Sequence, residues 1–391
     1  MKINCHCHIF SLDCVPLEFR KRFVLDVKNS VHRFIHRLLR IILPNDSNLQ
    51  AWIDLLDLSI SEIAHRLVQE MDEAGMDIST PLMMDMEFCK GFGGGATKSF
   101  QVQANETIEA VESVNRKYGR TRLYPFIAAD PNREGVVDIV IDALKGGVFK
   151  GVHPVKSPKG GSQAAFHGVK IYPVMGFTPD DKRLYPIYEY CMDSGIPITA
   201  HCENGGIPGL DDYYHLAHPK YWGIVLNDFP GLKLNLAHND RTGSPWQPVI
   251  ADLIMRYPNV YTDCSYDTEM MFIPRKYFRS IKQMLNTPKI QDRLLYGTDW
   301  YMGRCFWTEK SYLKWFTTYS RRIPWCRVEF TGEEIKRMTE DQGEIYRGGD
   351  KENDGRQSRE IPGVQLKNIE MRAGIVVSTQ GAGSRKLPFP K

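Results

Sequence analysis

Short apolar runs recur along the chain, and stretches with the apolar spacing of helices lie between them. Such alternation predicts parallel strands joined by crossover helices. Eight runs qualify as strands, the number that a closed TIM (β/α)8 barrel needs. The predicted strands are Lys2 to Phe10, Ile78 to Met86, Arg122 to Ala129, Gly168 to Pro173, Ile196 to Cys202, Leu232 to His238, Asn259 to Ser265 and Arg293 to Asp299. We therefore expect an α/β fold of the TIM-barrel type.

The segments between these strands predict helices and two additions to the barrel. The helices are expected at Ser61 to Glu73, Gln101 to Tyr118, Asp181 to Asp193, Trp246 to Arg256 and Arg275 to Leu285. The first connection is unusually long, and we interpret residues 11–75 as a helical insertion at the C-terminal face, where it can cap an active site. Gly147 to Val155 also has a strand pattern, so the stretch that follows it is either an insertion before the fourth strand or a loop after it. Residues 1–347 form the predicted barrel domain, and the polar, then Gly- and Ser-rich residues 348–391 form a tail or arm.

Composition narrows the functional class. The 391 residues carry a formal net charge of only +3, which favours a small-molecule substrate over nucleic acid or a membrane surface as the partner. No apolar run approaches the roughly 18 residues of a membrane helix, and no secretory leader pattern opens the chain. Nine cysteines are too few for a secreted disulfide scaffold of this length. We expect a cytoplasmic enzyme with free thiols, which can form a homo-oligomer.

The first strand contains four possible soft-metal ligands in the sequence INCHCHIF, Ile3 to Phe10. Successive side chains of a strand point to opposite faces, so His6 and His8 share one face with Asn4, and Cys5 and Cys7 share the other. The Ile/Cys/Cys/Ile set suits the face packed against helices. We therefore expect the two imidazoles, with Asn4, to point into the barrel and the thiols to point outward.

Three later strands end in residues of similar chemistry: His201 ends the fifth, His238 the sixth and Asp299 the eighth. The carboxyl ends of barrel strands meet at one mouth, where polar residues are typically catalytic. Imidazole nitrogens with a carboxylate oxygen suit Zn²⁺, with Mn²⁺, Fe²⁺ or Co²⁺ as alternatives. The pattern predicts a divalent-metal site at this mouth.

These residues lie in motifs that resemble the amidohydrolase superfamily, specifically its second, amidohydrolase-related branch of TIM-barrel hydrolases and decarboxylases. The resemblance spans about residues 2–304 and is carried, in the family's order, by NCHCH, GVKIYPVMGFTPDD, GIPITAHCENG, LKLNLAHND, SPWQPVIADLIMRYPNVYTDCS and LLYGTDW. It implies that His6, His8, His201 and Asp299 bind the metal. Asp299 and His238 are implied as catalytic residues, the former as proton acceptor and the latter orienting water or polarising the substrate carbonyl.

The resemblance leaves the number of metal ions open. Lys170 stands where binuclear relatives carry a carboxylated lysine, with His238 binding the second ion, but mononuclear relatives also have a lysine there that can bind a substrate carboxylate. We favour one ion over two. Asn4 departs from the family pattern, which has an acidic residue two positions before His6.

The implied reaction is hydrolysis of an ester, lactone or amide bond in a small substrate that carries a carboxylate, by hydroxide formed from water at the metal. Lys170, Arg241 and Arg304 are the predicted contacts to that substrate. The same site could support non-oxidative decarboxylation, because its ligands do not distinguish the two reactions. A non-catalytic barrel that acts as a binding or regulatory subunit is the third hypothesis.

Overall fold

The computed structural model describes residues 1–21, 48–146, 166–207, 209–240, 242–267, 269–322 and 326–340. Four predictions concern positions outside these ranges: the strand-like stretch Gly147 to Val155, the tail 348–391, the substrate contact Arg241 and residues 22–47 of the expected insertion. None of the helices in the described ranges is long and apolar enough to cross a membrane.

All eight predicted strands are present, each shorter than the apolar run that predicts it. They are β1 (Ile3–Cys7), β2 (Ile78–Pro81), β3 (Phe126–Ala129), β4 (Gly168–Ile171), β5 (Ile198–His201), β6 (Leu234–Ala237), β7 (Val260–Asp263) and β8 (Leu294–Leu295). Every one except β7 is buried along its whole length, as expected for parallel strands covered by helices.

The strands follow one another in sequence order around a ring. β1 pairs with β2, and β3 to β8 form a six-stranded parallel sheet. Backbone hydrogen bonds join the two sheets at both junctions. Cys5 N–H donates to the Tyr296 carbonyl at 2.9 Å between β1 and the end of β8, and Ser79 N–H donates to the Arg122 carbonyl at 3.0 Å between β2 and the start of β3. These contacts, although shorter than full ladders, give the (β/α)8 order of a TIM barrel.

The predicted helices also form, with ends within two residues of the expected ones wherever a single helix fills the run. The α-helices are α1 (Asn48–Leu56), α2 (Ile60–Ala74), α3 (Phe100–Tyr118), α4 (Val136–Leu144), α5 (Tyr185–Ser194), α6 (Lys220–Asp228), α7 (Gln247–Arg256), α8 (Glu269–Phe272), α9 (Pro274–Leu285), α10 (Glu309–Lys314), α11 (Ser320–Arg322) and α12 (Gly332–Thr339). A π-helical segment spans Trp315–Tyr319, and 3₁₀ turns span Leu12–Cys14, Lys90–Phe92, Pro173–Met175, Lys182–Leu184, Asp211–Ala217 and Met302–Cys305.

Helix α2 revises the interpretation of residues 11–75. Parallel strands such as β1 and β2 need a crossover connection, and α2 supplies it, packed against α3 and α10. Its start is fixed by a capping box, in which Ser59 and Glu62 bond each other's backbone N–H groups, and Gly75 ends it in the left-handed conformation. The last part of the expected insertion is therefore the barrel's own first helix. The domain boundaries themselves stay a prediction.

Candidate metal centre

The centre of the site is a contact between β1 and the residue that follows β8. Nε2 of His8 lies 3.0 Å from Oδ1 of Asp299, and Nε2 of His6 lies 3.4 Å from the same oxygen. All three side chains are almost completely buried. Their ligand atoms are close enough together to hold one metal ion. The two rings lie close together, with centroids 5.4 Å apart, as the HxH spacing predicts.

The orientation of His8 is set by a hydrogen bond on its other nitrogen. Nδ1 lies 2.7 Å from the backbone carbonyl of Leu82, which can only accept, so Nδ1 carries the proton. In the neutral ring, Nε2 is then a lone pair that faces a carboxylate oxygen of Asp299. Two acceptors at this distance need either a proton or a metal ion between them. A divalent ion fits that requirement and this donor set.

His6 is held in a similar way by Asp263, the last residue of β7, and by Ser265. Nδ1 of His6 lies 3.2 Å from Oδ2 of Asp263 and 2.9 Å from Oγ of Ser265. Asp263 also accepts hydrogen bonds from the Asn235 amide at 2.7 Å and from the His238 backbone N–H at 2.9 Å. Nε2 of His6 is buried and has no hydrogen-bond partner within the described ranges, which leaves it available to a metal ion.

Electrostatics keep His6 neutral, as a metal ligand must be. Burial, reinforced by the positive charge of Lys170, lowers the pKa of His6 to about 3. Burial raises the pKa of Asp263, but the His6 and His238 imidazoles and the hydrogen bonds around it lower the pKa more, and the net shift is downward. Burial also raises the pKa of Asp299, where the hydrogen bond with His8 and the nearby imidazoles again produce a net lowering. The site therefore presents a neutral His6 ring and two ionised carboxylates.

The chain matches the family model described as amidohydrolase over residues 3–336. It belongs to the amidohydrolase family. Members of this family are metal-dependent enzymes, and they include hydrolases and decarboxylases. Among curated protein sequences, none is significantly similar to this chain.

Several solved structures are similar to this amidohydrolase, and the first described here supports the barrel fold. An uncharacterised TIM-barrel protein from Bordetella bronchiseptica has a TM-score of 0.54 at 18% identity, covering 88% of this chain and 96% of its own. The 5-carboxyvanillate decarboxylase of Sphingomonas paucimobilis has a TM-score of 0.47 at 13% identity, covering 89% of this chain and 99% of its own. A lactonase from Listeria monocytogenes has a TM-score of 0.46 at 11% identity, covering 88% and 94%.

The other predicted ligand, His201, lies beside the centre without joining the group of His6, His8 and Asp299. Its ring centroid is 4.8 Å from that of His238 and 4.7 Å from that of Tyr172. Its Nε2 is 3.3 Å from the carbonyl oxygen of Gly205. Burial lowers the pKa of His201 well below its ordinary value, so the ring is neutral. Its role as a ligand of this amidohydrolase stays a prediction.

His238 follows β6 in an uncommon backbone conformation. His238, Asn239 and Asp240 have φ values of 73°, 51° and 50°, and Asp299 has a φ of 53°. Left-handed non-glycine residues are uncommon, and they cluster at functional sites where surrounding contacts hold them. Here the contacts are those of Ser265, whose Oγ and carbonyl oxygen lie 3.0 Å and 3.1 Å from Nδ1 of His238.

Lys170 lies on β4 with its side chain buried inside the amidohydrolase barrel. Burial lowers the pKa of its ammonium to about 8, while the Asp299 and Asp263 carboxylates act in the opposite direction. Within the described ranges no carboxylate is close enough to form an ion pair with it. A buried cation beside the metal centre is suited to an anionic group of a substrate.

Arg304 contacts a carboxylate of the protein itself. Its Nε donates a hydrogen bond of 2.6 Å to Oε1 of Glu70 on α2, and both side chains are buried. This ion pair joins the Met302–Cys305 turn to the first crossover helix, and gives Arg304 a structural partner that the sequence did not indicate. Its contact to substrate stays a prediction, as does that of Arg241.

The first strand departs from the predicted alternation. The pairing of β1 with β2 shifts register between Asn4 and Cys7. As a result Asn4 points outward, where its amide contacts Glu309 of α10, and Cys5 packs against Leu295 of β8 and Tyr261 of β7. The expectation of an inward Asn4 and an outward Cys5 is wrong, because an irregular strand does not keep a period of two.

Proposed function

We propose that this amidohydrolase is a metal-dependent hydrolase that opens an ester, lactone or amide bond in a small substrate carrying a carboxylate. The observation that supports the proposal is the 3.0 Å distance between Nε2 of His8 and Oδ1 of Asp299. Nδ1 of the same ring donates its proton to the Leu82 carbonyl. A cation can bind to both of these acceptor atoms, Nε2 of His8 and Oδ1 of Asp299.

We propose His6, His8, His201 and Asp299 as the ligands and Zn²⁺ as the ion. Two groups of side chains could hold a metal, His6 with His8 and Asp299, and His6 with His238 and Asp263. Because both groups contain His6, they support one ion rather than two, and Lys170 then serves the substrate instead of bridging two metals. Imidazole and carboxylate donors suit Zn²⁺, while Mn²⁺, Fe²⁺ and Co²⁺ remain alternatives for the same donors.

A divalent ion at this site would polarise a substrate carbonyl and make water more acidic near neutral pH. Asp299 would then be the proton acceptor, since it is ionised and is one of the proposed ligands, and it would pass the proton to the leaving group. Lys170 binds the substrate carboxylate and so orients the scissile bond.

The role of His238 follows from its tautomer. Its Nδ1 lies 3.1 Å from the Ser265 carbonyl, which can only accept, so the neutral ring carries its proton on Nδ1 and a lone pair on Nε2. A lone pair accepts a hydrogen bond from the attacking water and orients it. We propose that His238 has this water-orienting role.

We also propose a cytoplasmic location. None of the nine cysteines, all of which lie in the described ranges, forms a disulfide bond, and eight of them are buried, as expected for a protein kept under reducing conditions. The predicted homo-oligomer stays a prediction.

A substrate panel with metal control tests the reaction. The protein is freed of metal with a chelator, reloaded with Zn²⁺ or Mn²⁺, and assayed with carboxylate-bearing lactones, esters and amides, and with aromatic and unsaturated carboxylic acids. We expect metal-dependent bond hydrolysis. Metal-dependent CO₂ release without hydrolysis would assign the decarboxylase reaction instead. A protein that binds no metal, is inactive on the whole panel and co-purifies with another protein would be a binding subunit.

A further inference from the structure

Asn4 is completely buried and makes three hydrogen bonds of two kinds. Its Oδ1 accepts the backbone N–H of His6 at 3.1 Å. Its amide donates to Oγ1 of Thr298 at 2.8 Å and to Oε2 of Glu309 at 2.9 Å. A residue at this position must therefore accept on one side and donate on the other. Asn meets both requirements. The family resemblance leads one to expect an acidic residue here, but an ionised carboxylate can only accept hydrogen bonds and cannot donate them.

The carboxyl group of Glu309 contacts the Asn4 side chain from the helix layer, outside the ring of strands. It is the first residue of α10, is completely buried, and its Oε2 lies 3.0 Å from Oγ1 of Thr298 as well as 2.9 Å from the Asn4 amide. Thr298 immediately precedes Asp299, and Asn4 is two residues before His6. The three side chains thus connect the two segments that carry proposed metal ligands.

The backbone shows that these two segments lie side by side. The N–H groups of Thr298 and Asp299 both point at the carbonyl oxygen of His6, at 3.3 Å and 2.9 Å. The side-chain contacts among Asn4, Thr298 and Glu309 lie next to this junction and link it to helix α10. Partners that orient metal ligands in this way commonly affect metal affinity about 10- to 100-fold.

Other buried groups fix Glu309 in turn. Its backbone N–H donates to Oε2 of Glu70 at 3.3 Å, and Glu70 also accepts from the Trp300 indole at 3.0 Å and from Arg304. Burial raises the pKa of Glu309 to about 8, and the negative charge of Glu70 adds to this rise. The carboxyl is held in a dry, crowded environment in which a wrongly placed partner would be costly.

We propose that Asn4 and Glu309 form a positioning pair, in which the carboxyl of Glu309 fixes, through Asn4 and Thr298, the two chain segments that carry His6 and Asp299. The family pattern has an acidic residue at the position of Asn4. In this chain Glu309 of α10 supplies the carboxyl group instead. This inference rests on the proposed metal site.

Exchange of the two functional groups tests the pair. Asn4→Asp places a second carboxyl against Glu309 and removes the donors, whereas Glu309→Gln keeps an acceptor for Asn4 and Thr298. The double variant Asn4→Asp with Glu309→Gln restores one amide and one carboxyl in exchanged positions. Glu334→Gln is the matched control, because Glu334 is a buried glutamate that accepts from the Asn286 amide at 2.8 Å on α12, remote in sequence from the site residues.

Zn²⁺ affinity, measured on each purified variant by competition with a chelating dye, is the readout, together with the unfolding temperature of the metal-free protein. We expect Asn4→Asp to weaken Zn²⁺ binding about 10- to 100-fold. Glu309→Gln, which keeps one acceptor oxygen, should weaken it less than Asn4→Asp does, the Glu334→Gln control should bind within about threefold of the wild type, and the double variant should recover most of the loss. A double variant no better than Asn4→Asp would overturn the pair, as would Asn4→Asp binding Zn²⁺ like the wild type. Failure of the wild type to bind Zn²⁺ or another divalent ion would instead overturn the proposed function on which the pair rests.

Discussion

His8 and Asp299 face each other across the junction of β1 and β8 with 3.0 Å between Nε2 and Oδ1. The Leu82 carbonyl, 2.7 Å from Nδ1 of His8, comes from the segment after β2. Three neighbouring segments of the barrel thus determine where the His8 lone pair points. A carboxylate oxygen that meets this lone pair without an intervening cation would be unfavourable, and this electrostatic requirement is the physical basis of the proposed metal site.

Asp263 is expected to control metal affinity through His6. Replacing it with Asn keeps the size but exchanges one acceptor oxygen for an N–H₂ group, which cannot accept from the surrounding donors. We predict that Asp263→Asn lowers Zn²⁺ affinity about 10- to 100-fold while the protein still folds. Equilibrium dialysis against Zn²⁺ measures this. Asp193→Asn, an exposed change at the end of α5, serves as the control, and equal Zn²⁺ affinity in the two variants would exclude the role assigned to Asp263.

Lys170 is expected to act on substrate binding. Lys170→Met keeps a long side chain but removes the charge, and loss of a charge-assisted hydrogen bond of about 1.5–3 kcal/mol corresponds to a rise in KM of roughly 10- to 100-fold. Metal content should stay at one ion per chain. Steady-state kinetics together with elemental analysis check both parts. If the wild type held two ions and the variant fewer, Lys170 would be a bridging ligand and the single-ion proposal would be wrong.

Cys5 and Cys7 are expected to contribute packing only. Both thiols are completely buried, and neither belongs to the groups that could hold a metal within the described ranges. Cys5→Ser and Cys7→Ser each bury a hydroxyl in place of a thiol, which should lower the free energy of unfolding by about 1–3 kcal/mol. Chemical denaturation measures the loss. Zn²⁺ content should remain at the wild-type value, and its disappearance in either variant would show that the thiol is a ligand.

Asp130, directly after β3, should make stability depend on pH. Burial and the nearby Asp85 raise the pKa of Asp130 to about 6 in the folded protein, above its ordinary value of 3.8. A raised pKa means that the neutral carboxyl stabilises the fold below about pH 4, and that this contribution is lost as the pH rises through about 6. Asp130→Asn does not ionise, so its unfolding temperature relative to the wild type should increase between about pH 4.5 and pH 7.5.

The matched comparison for this pH effect is Asp138→Asn, an exposed position on α4. We expect its unfolding temperature relative to the wild type to be the same at both pH values. An Asp130→Asn difference that is equally constant with pH would mean that Asp130 ionises in the folded protein as it does in the unfolded chain.

The eight strands and the positions of His6, His8 and Asp299 could be predicted from the sequence, because apolar runs and strand-end polarity depend on local pattern. Asp263 could have been found by the same rule, since it ends the apolar run of β7 in the motif YTDCS. Its neighbours Cys264 and Ser265 make the end of that strand less distinct.

The contacts of Asn4, Arg304 and Glu309 could not be predicted from local pattern. Glu70 and Arg304 are separated by 234 residues, and Asn4 and Glu309 by 305. No periodicity links such distant positions. The outward turn of Asn4 depends on an irregularity in β1, which a strict period of two does not anticipate.

The metal content of three proteins tests the central claim most directly. The wild type, His8→Ala and Asp299→Ala are equilibrated with Zn²⁺, freed of excess ion and examined by elemental analysis, with circular dichroism to verify that each is folded. We predict close to one Zn²⁺ per chain in the wild type and almost none in either variant. A wild type without bound metal, or two folded variants with full Zn²⁺ content, would contradict the proposed metal site.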